Sequence, residues 1–107
     1  MNHRFGRNLL NEPFDDLVVD AVWLKGVIVP GSDPKHKRLD AFGAWIERYN
    51  YKDKSKNGTG WEIDHIMPVS AGGSDQLDNL QPLQWQNNRS KAENPLNKCT
   101  ARIIAHN

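Results

Sequence analysis

The stretch Trp61 to Leu80, WEIDHIMPVSAGGSDQLDNL, decides the fold. Its opening alternates in the manner of a strand. Trp61, Ile63 and His65 fall on one face, and Glu62, Asp64 and Ile66 on the other. Pro68 limits continuation of that strand. Ala71 to Asp78 reads as a loop built around Gly72-Gly73, which serve chain reversal. Leu80 to Leu83 is a very short returning strand. A helix is expected from about Gln84 to Glu93, with Pro95 marking its end.

The order is therefore strand, long loop, short strand, helix. It sets Asp64 and His65 at the end of the first strand. Asn79 closes the loop, Asn88 sits one turn inside the helix, and Arg89 and Lys91 follow. A carboxylate and an amide oxygen suit a hard cation such as Mg2+ or Mn2+. Two protein ligands, Asp64 and Asn88, leave coordination positions for water and phosphate oxygens. Imidazoles titrate near neutrality, so His65 is the natural group to activate water. Asp64 and His65 are neighbours, and on a regular strand they point to opposite sides. A distortion at the strand end is expected to let them address one phosphate. Asn79, with donor and acceptor ends, can tie the loop back onto the site. Taken alone, His65 reads equally well as a half-buried packing imidazole, and Asn88 as a polar residue on a helix surface.

The text IDHIMPVSAGGSDQLDNLQPL, followed by QWQNNRSK, resembles the HNH endonuclease family. The paired Asp-His of that family falls on Asp64 and His65, its central Asn on Asn79, and its last signature position on Asn88 with Lys91. The resemblance covers about residues 61–94. It implies an α+β fold: a small domain over residues 14–107, built on a ββα-metal core at about 61–94 with added N-terminal and C-terminal helices. Residues 1–13 are expected to be a flexible leader. Many family members carry CxxC pairs around a structural zinc. Gln84 and Asn87 stand at the corresponding positions here, so no structural zinc is expected. Asn at the third signature position favours Mg2+ or Mn2+ over softer ions. Aromatic packing, with Trp45, Trp61 and Trp85 as candidates, must replace the zinc knuckle.

The resemblance implies hydrolysis of DNA phosphodiester bonds with one catalytic divalent ion, leaving 5′-phosphate and 3′-hydroxyl ends. His65 and Asn79 are the implied catalytic residues, and Asp64 and Asn88 the implied metal ligands. A main-chain carbonyl of the second strand is expected to orient the other imidazole nitrogen. Arg89 and Lys91 are candidates for substrate phosphates. The partner implied is double-stranded DNA, met by a monomer, a homodimer or a component of a larger phage or restriction complex. Two other readings stand beside this one. The first is a catalytically weak or inactive DNA-binding domain. The second is the nuclease module of an interbacterial or phage-borne toxin.

The 107 residues suit one small domain. Hydrophobic content is 37%, but four Trp and three Phe can supply a compact core. Net charge is only +1. Its distribution is uneven: Lys25 to Lys56 holds eight basic and four acidic side chains. A basic face including Lys35, Lys37 and Arg38 is therefore a candidate DNA contact, although an ordinary solvated face accounts for the charge run alone. Cys99 is the only cysteine, which excludes an internal disulfide and a four-cysteine zinc site. No membrane-spanning run and no signal peptide are expected, so the expected location is cytoplasmic.

Upstream, Phe14, Leu17, Val18, Ala21 and Val22 have helical spacing, with a stop at Lys25-Gly26. Val27 to Val29 reads as a short strand. Ala44 to Tyr51 reads as one side of a hairpin, with Trp45 and Tyr49 facing inward. Asn97 is expected to cap a last helix reaching about Ala105.

Overall fold

The computed structural model describes residues 5–92. The expected last helix and Cys99 lie outside them. The described residues form two helices and two small antiparallel sheets, an α+β arrangement. Helix α1 spans Asp16–Trp23; strands β1 and β2 are Lys37–Leu39 and Trp45–Glu47. Strands β3 and β4 are Trp61–His65 and Leu80–Gln84, and helix α2 follows directly at Trp85–Lys91.

Residues 5–13, expected as a loose leader, form a closed turn. Arg7 bridges Pro13, the Asn8 amide donates to the Glu12 carbonyl at 2.9 Å, and Gly6 is buried. The Asp15 side chain then caps α1 by accepting from the Val18 amide at 3.0 Å. The helix starts later than the apolar spacing suggested, and its inward face is Val19, Val22 and Trp23. Leu17 is 82% exposed. Leu17, Val18 and Val19 are consecutive apolar residues, so periodicity alone left two faces open. Phe14 stays outside the helix and packs in the core.

Val27 forms only an isolated bridge with Leu39, and Ile28 is exposed. In the β1–β2 hairpin, Ile46 and not Trp45 is the fully buried residue, and Tyr49 is 80% exposed. Tyr49 sits in a 3₁₀ turn after β2, so strand alternation no longer applies to it. The central aromatic group is Trp61 with Trp23 and Tyr51, at ring-centroid distances of 5.4 and 4.8 Å. Trp85 takes no part in this cluster; its indole N–H donates to the Ser55 carbonyl at 3.0 Å.

The β3–β4 ribbon is paired from Trp61↔Gln84 to His65↔Leu80. All five residues of each strand are buried. Pro82 is tolerated because, among the described residues, β4 pairs on one side only. The apolar face of β3 packs with α1, through Trp61 and Ile63. The other face, Glu62 and Asp64, meets α2.

Asp40 joins the two sheets. Its Oδ1 accepts from the Phe42 and Ala44 amides, each at 2.9 Å. Its Oδ2 accepts from the Gln84 amide at 2.9 Å and from Asn87 Nδ2 at 3.0 Å. Burial pushes this carboxyl above its ordinary range, and the surrounding donors offset part of that rise. An amide in its place turns an N–H₂ group toward two of those donors. Asp40→Asn is expected to destabilise the fold by about 2–3 kcal/mol, measured by urea unfolding. Unchanged stability would show that this junction is not held by the carboxylate.

Candidate active site

Strand β3 stays regular through His65, so the distortion expected at its end is absent. Asp64 and His65 point to opposite sides of the ribbon. On the α1 side, the His65 ring lies against Phe14, with centroids 5.9 Å apart. His65 Nε2 is 2.8 Å from Asp75 Oδ1. A carboxylate only accepts, so this geometry selects the tautomer with hydrogen on Nε2 and a lone pair on Nδ1. The expected orienting main-chain carbonyl is thus replaced by a side-chain carboxylate. Asp75 is fixed in turn by the Leu9 amide, which donates to its Oδ2 at 2.9 Å. Sequence reading passed over Asp75. An acid in a Gly-Ser-rich loop looks like a turn former, and its partner is ten residues away.

The loop between β3 and β4 is closed by Asn79. Its Oδ1 accepts from the Met67 amide at 2.8 Å. Its Nδ2 donates to the Ser74 and Met67 carbonyls at 2.8 and 3.1 Å. The Ile66 amide donates to the Asn79 carbonyl at 2.8 Å. A side chain at Gly73 would put its Cβ 1.7 Å from the Met67 carbonyl oxygen, so only glycine fits. These contacts hold the segment that follows His65.

On the other side, α2 presents a polar face to β3. Residues 88 and 91 are one helical turn apart, about 4.5 Å in rise. Residues 62 and 64 are about 6.6 Å apart along one strand face. The spacings are close enough for two matched pairs. Asn88 Nδ2 donates to Glu62 Oε1 at 2.8 Å. The Lys91 ammonium lies 3.2 Å from both Asp64 oxygens and donates to the His65 carbonyl at 2.9 Å. Gln81 Nε2 donates to Asp64 Oδ2 at 2.9 Å. Burial pushes the Asp64 carboxyl up, opposed chiefly by the Lys91 charge. Asn88 Oδ1 is buried and has no hydrogen-bond partner among the described residues.

Two residues expected to touch phosphate are turned inward instead. Lys91 is fully buried on Asp64. Arg38 is buried and donates to the carbonyls of Pro34, Leu24 and Gly26, which pins the turn after α1. Both carry long apolar stems that can be buried when carbonyls or a carboxylate receive the charge. Arg89 is partly exposed; it forms a two-pronged pair with Glu62 at 2.7 and 3.1 Å and stacks on Phe5. Lys35 is exposed, and the Lys37 ammonium lies 5.0 Å from the Trp45 ring centre. They sit on the β1–β2 hairpin side, away from α2 in sequence and pairing.

A cleft of about 100 Å³ gathers a different set of cations. It is lined by Phe5, Gly6, Arg7, Lys52, Lys54 and Glu62. Glu62 joins this cleft to Asn88. The sequence hid the grouping because Arg7 is brought in by the closed turn at residues 5–13.

Residues 50–93 match the family model of the HNH endonucleases. The matched segment contains β3, the Asn79 loop, β4 and α2, and covers less than half of the chain. No curated protein and no solved structure matches the chain. The HNH match supports that family and suggests a nuclease-type function for the segment. HNH nucleases act on DNA and generally use a divalent metal. Among the described residues there is no group of three or more His, Cys, Asp or Glu that could hold an ion. Among the described residues, no helix is long and apolar enough to cross a membrane.

Removing the Lys91 charge leaves Asp64 uncompensated in a buried setting. Lys91→Met is expected to cost about 3–5 kcal/mol in urea unfolding. Adding Asp64→Asn should recover much of that loss. A single variant as stable as wild type would mean that the pair contributes nothing to the fold.

Proposed function

We propose that this chain is a divalent-metal-dependent endonuclease of HNH type with Asn at the third signature position. It hydrolyses DNA phosphodiester bonds and leaves 5′-phosphate and 3′-hydroxyl ends. The observation that carries this reading is the orphaned Asn88 Oδ1 inside the HNH-matching segment, on the helix that covers Asp64. A buried carbonyl oxygen without a donor is costly in a folded protein, and a hard cation is a natural partner for it.

Asp64 would offer a carboxylate and Asn88 an amide oxygen to Mg2+ or Mn2+, but the Lys91 ammonium now lies on both Asp64 oxygens, so an ion held there must displace it. These two residues would hold the ion. When bound, it would offset the charge that develops on the leaving 3′ oxygen. His65 is the proposed base, and Nδ1 is the ring atom left to take a proton from water. Asp75 keeps the ring in that tautomer. Asn79 acts by fixing the loop after His65 and touches no reacting atom in this reading. The ββα-metal core would then be β3, β4 and α2, within a single domain over residues 14–107.

A second reading, a DNA-binding domain with little or no cleavage, is favoured by one feature. Both site groups already have partners: Asp64 holds Lys91 and Gln81, and His65 Nε2 holds Asp75. A supercoiled-plasmid assay separates the two. Cleavage is expected with Mg2+ or Mn2+ and is expected to stop with EDTA. His65→Ala should lower the rate by about 100- to 10,000-fold while the circular dichroism spectrum at the assay temperature stays that of the folded protein. Cleavage at the wild-type rate by that variant would remove His65 as the base, and no metal-dependent cleavage at all would favour the binding domain.

Substrate backbone contact is proposed for the cleft between residues 5–7 and 52–54. Arg7, Lys52 and Lys54 surround it, beside Glu62, whose charge Arg89 already meets. Replacing all three cations by Ala in a His65→Ala background should weaken duplex binding in EDTA. The slope of log affinity against log salt should fall by about 2–3, read by fluorescence anisotropy. An unchanged slope would take the DNA path elsewhere.

A further inference from the structure

We infer that Asn8 is a positioning residue for His65, acting through the Leu9 amide and Asp75. This rests on the reading of His65 as the base and extends it to the N-terminal turn, which lies outside the HNH-matching segment. A neutral imidazole carries one hydrogen, on Nδ1 or on Nε2, and only the bare nitrogen can take a proton from water. The hydrogen must stay on Nε2 for Nδ1 to serve. Asp75 holds it there from a side chain that is 35% exposed. Water competes for a carboxylate so placed, and something must keep it on the ring.

The turn at residues 8–12 does this. The Leu9 amide donates to Asp75 Oδ2 at 2.9 Å, while Asp75 Oδ1 meets His65 Nε2 at 2.8 Å. The two carboxylate oxygens are thus divided between turn and ring. Asn8 sets the direction of the Leu9 N–H. The Asn8 carbonyl and the Leu9 N–H belong to one planar peptide unit and point opposite ways. That carbonyl accepts from the Asn11 amide at 2.9 Å, which aims the N–H outward at Asp75. The Asn8 side chain closes the turn around it, with Oδ1 accepting from the Leu10 and Glu12 amides at 3.0 and 2.9 Å. Asn11 completes the reversal in the left-handed region, at φ 61°. The same turn leads into Phe14, whose ring lies 5.9 Å from that of His65. Both the hydrogen-bonding and the packing of the imidazole are therefore fastened to the N-terminal turn.

The test is nitrogen NMR of the His65 ring at a pH where it is neutral, with neither metal nor substrate present, beside the plasmid assay with Mg2+. In the wild type the ring hydrogen is expected on Nε2 and protected from exchange with water. Asn8→Ala should keep the fold by circular dichroism, speed that exchange, and lower the cleavage rate by about 10- to 100-fold. Asn8→Asp should behave as wild type, because a carboxylate oxygen accepts from the same two amides. Asp75→Asn gives the sharper sign. The Leu9 N–H can only donate, so it takes the oxygen of the new amide and leaves –NH₂ facing Nε2. The ring hydrogen should then move to Nδ1, with cleavage reduced by about 100- to 10,000-fold. Adding Asn8→Ala to Asp75→Asn frees that amide to turn over, and the hydrogen should return to Nε2. A ring hydrogen on Nδ1 in the wild type, unchanged exchange in Asn8→Ala, or a hydrogen that stays on Nε2 in Asp75→Asn would overturn the proposal. The expected ring changes in a protein that cleaves no plasmid would instead remove the endonuclease reading on which the proposal stands.

Discussion

A polar interface buried between α2 and β3 is the constraint on which this structure depends. Helices are usually held on strands by apolar side chains. Here Glu62 meets Asn88 and Arg89, and Asp64 meets Lys91. With Lys91 fully buried, neither partner of its pair can be withdrawn without leaving a charge in a low-dielectric setting. The attraction is directional, so α2 has one register on the ribbon. That register delivers Asn88 to the side of β3 that carries Asp64.

The opposite face of the same strand is apolar and faces α1. Trp61 and Ile63 build the core there, and His65 ends the row against Phe14. The regular alternation of β3 thus separates two kinds of chemistry across one ribbon: an anionic side turned to α2, and an imidazole turned to the loop and the N-terminal turn. Asp75 reaches that imidazole only because Asn79 folds the loop back on Met67 and Ser74. Asp40 does comparable work at the other end, fastening the first hairpin to the start of α2.

Charge distribution along the chain gave a poor guide to the surface. In the basic run from Lys25 to Lys56, Arg38 is spent on three backbone carbonyls. Arg48 pairs with Asp20, and Lys25 holds the Leu77 and Leu80 carbonyls. Lys52 and Lys54 remain at a cleft that acquires Arg7 from forty-odd residues upstream. A count of charges treats these side chains alike; hydrogen-bonding partners decide which of them reach solvent.

The sequence by itself determined the order of strand, loop, strand and helix from residue 61, and the division of Trp61 and Ile63 from Glu62 and Asp64. Both follow from local rules: alternation with period two, glycine and proline as punctuation, and Gln84 beginning a helix. It also marked Asn79 as a loop tie, since an amide with both donor and acceptor ends suits that task. Only the tertiary structure decided that Lys91 and Arg38 turn inward, that Asp75 holds His65, and that Glu62 takes the nitrogen end of Asn88. The pairings of Asp75, Glu62 and Lys91 join residues ten to twenty-seven positions apart. They depend on how far α2 and the loop travel before meeting β3, a distance that no local periodicity carries.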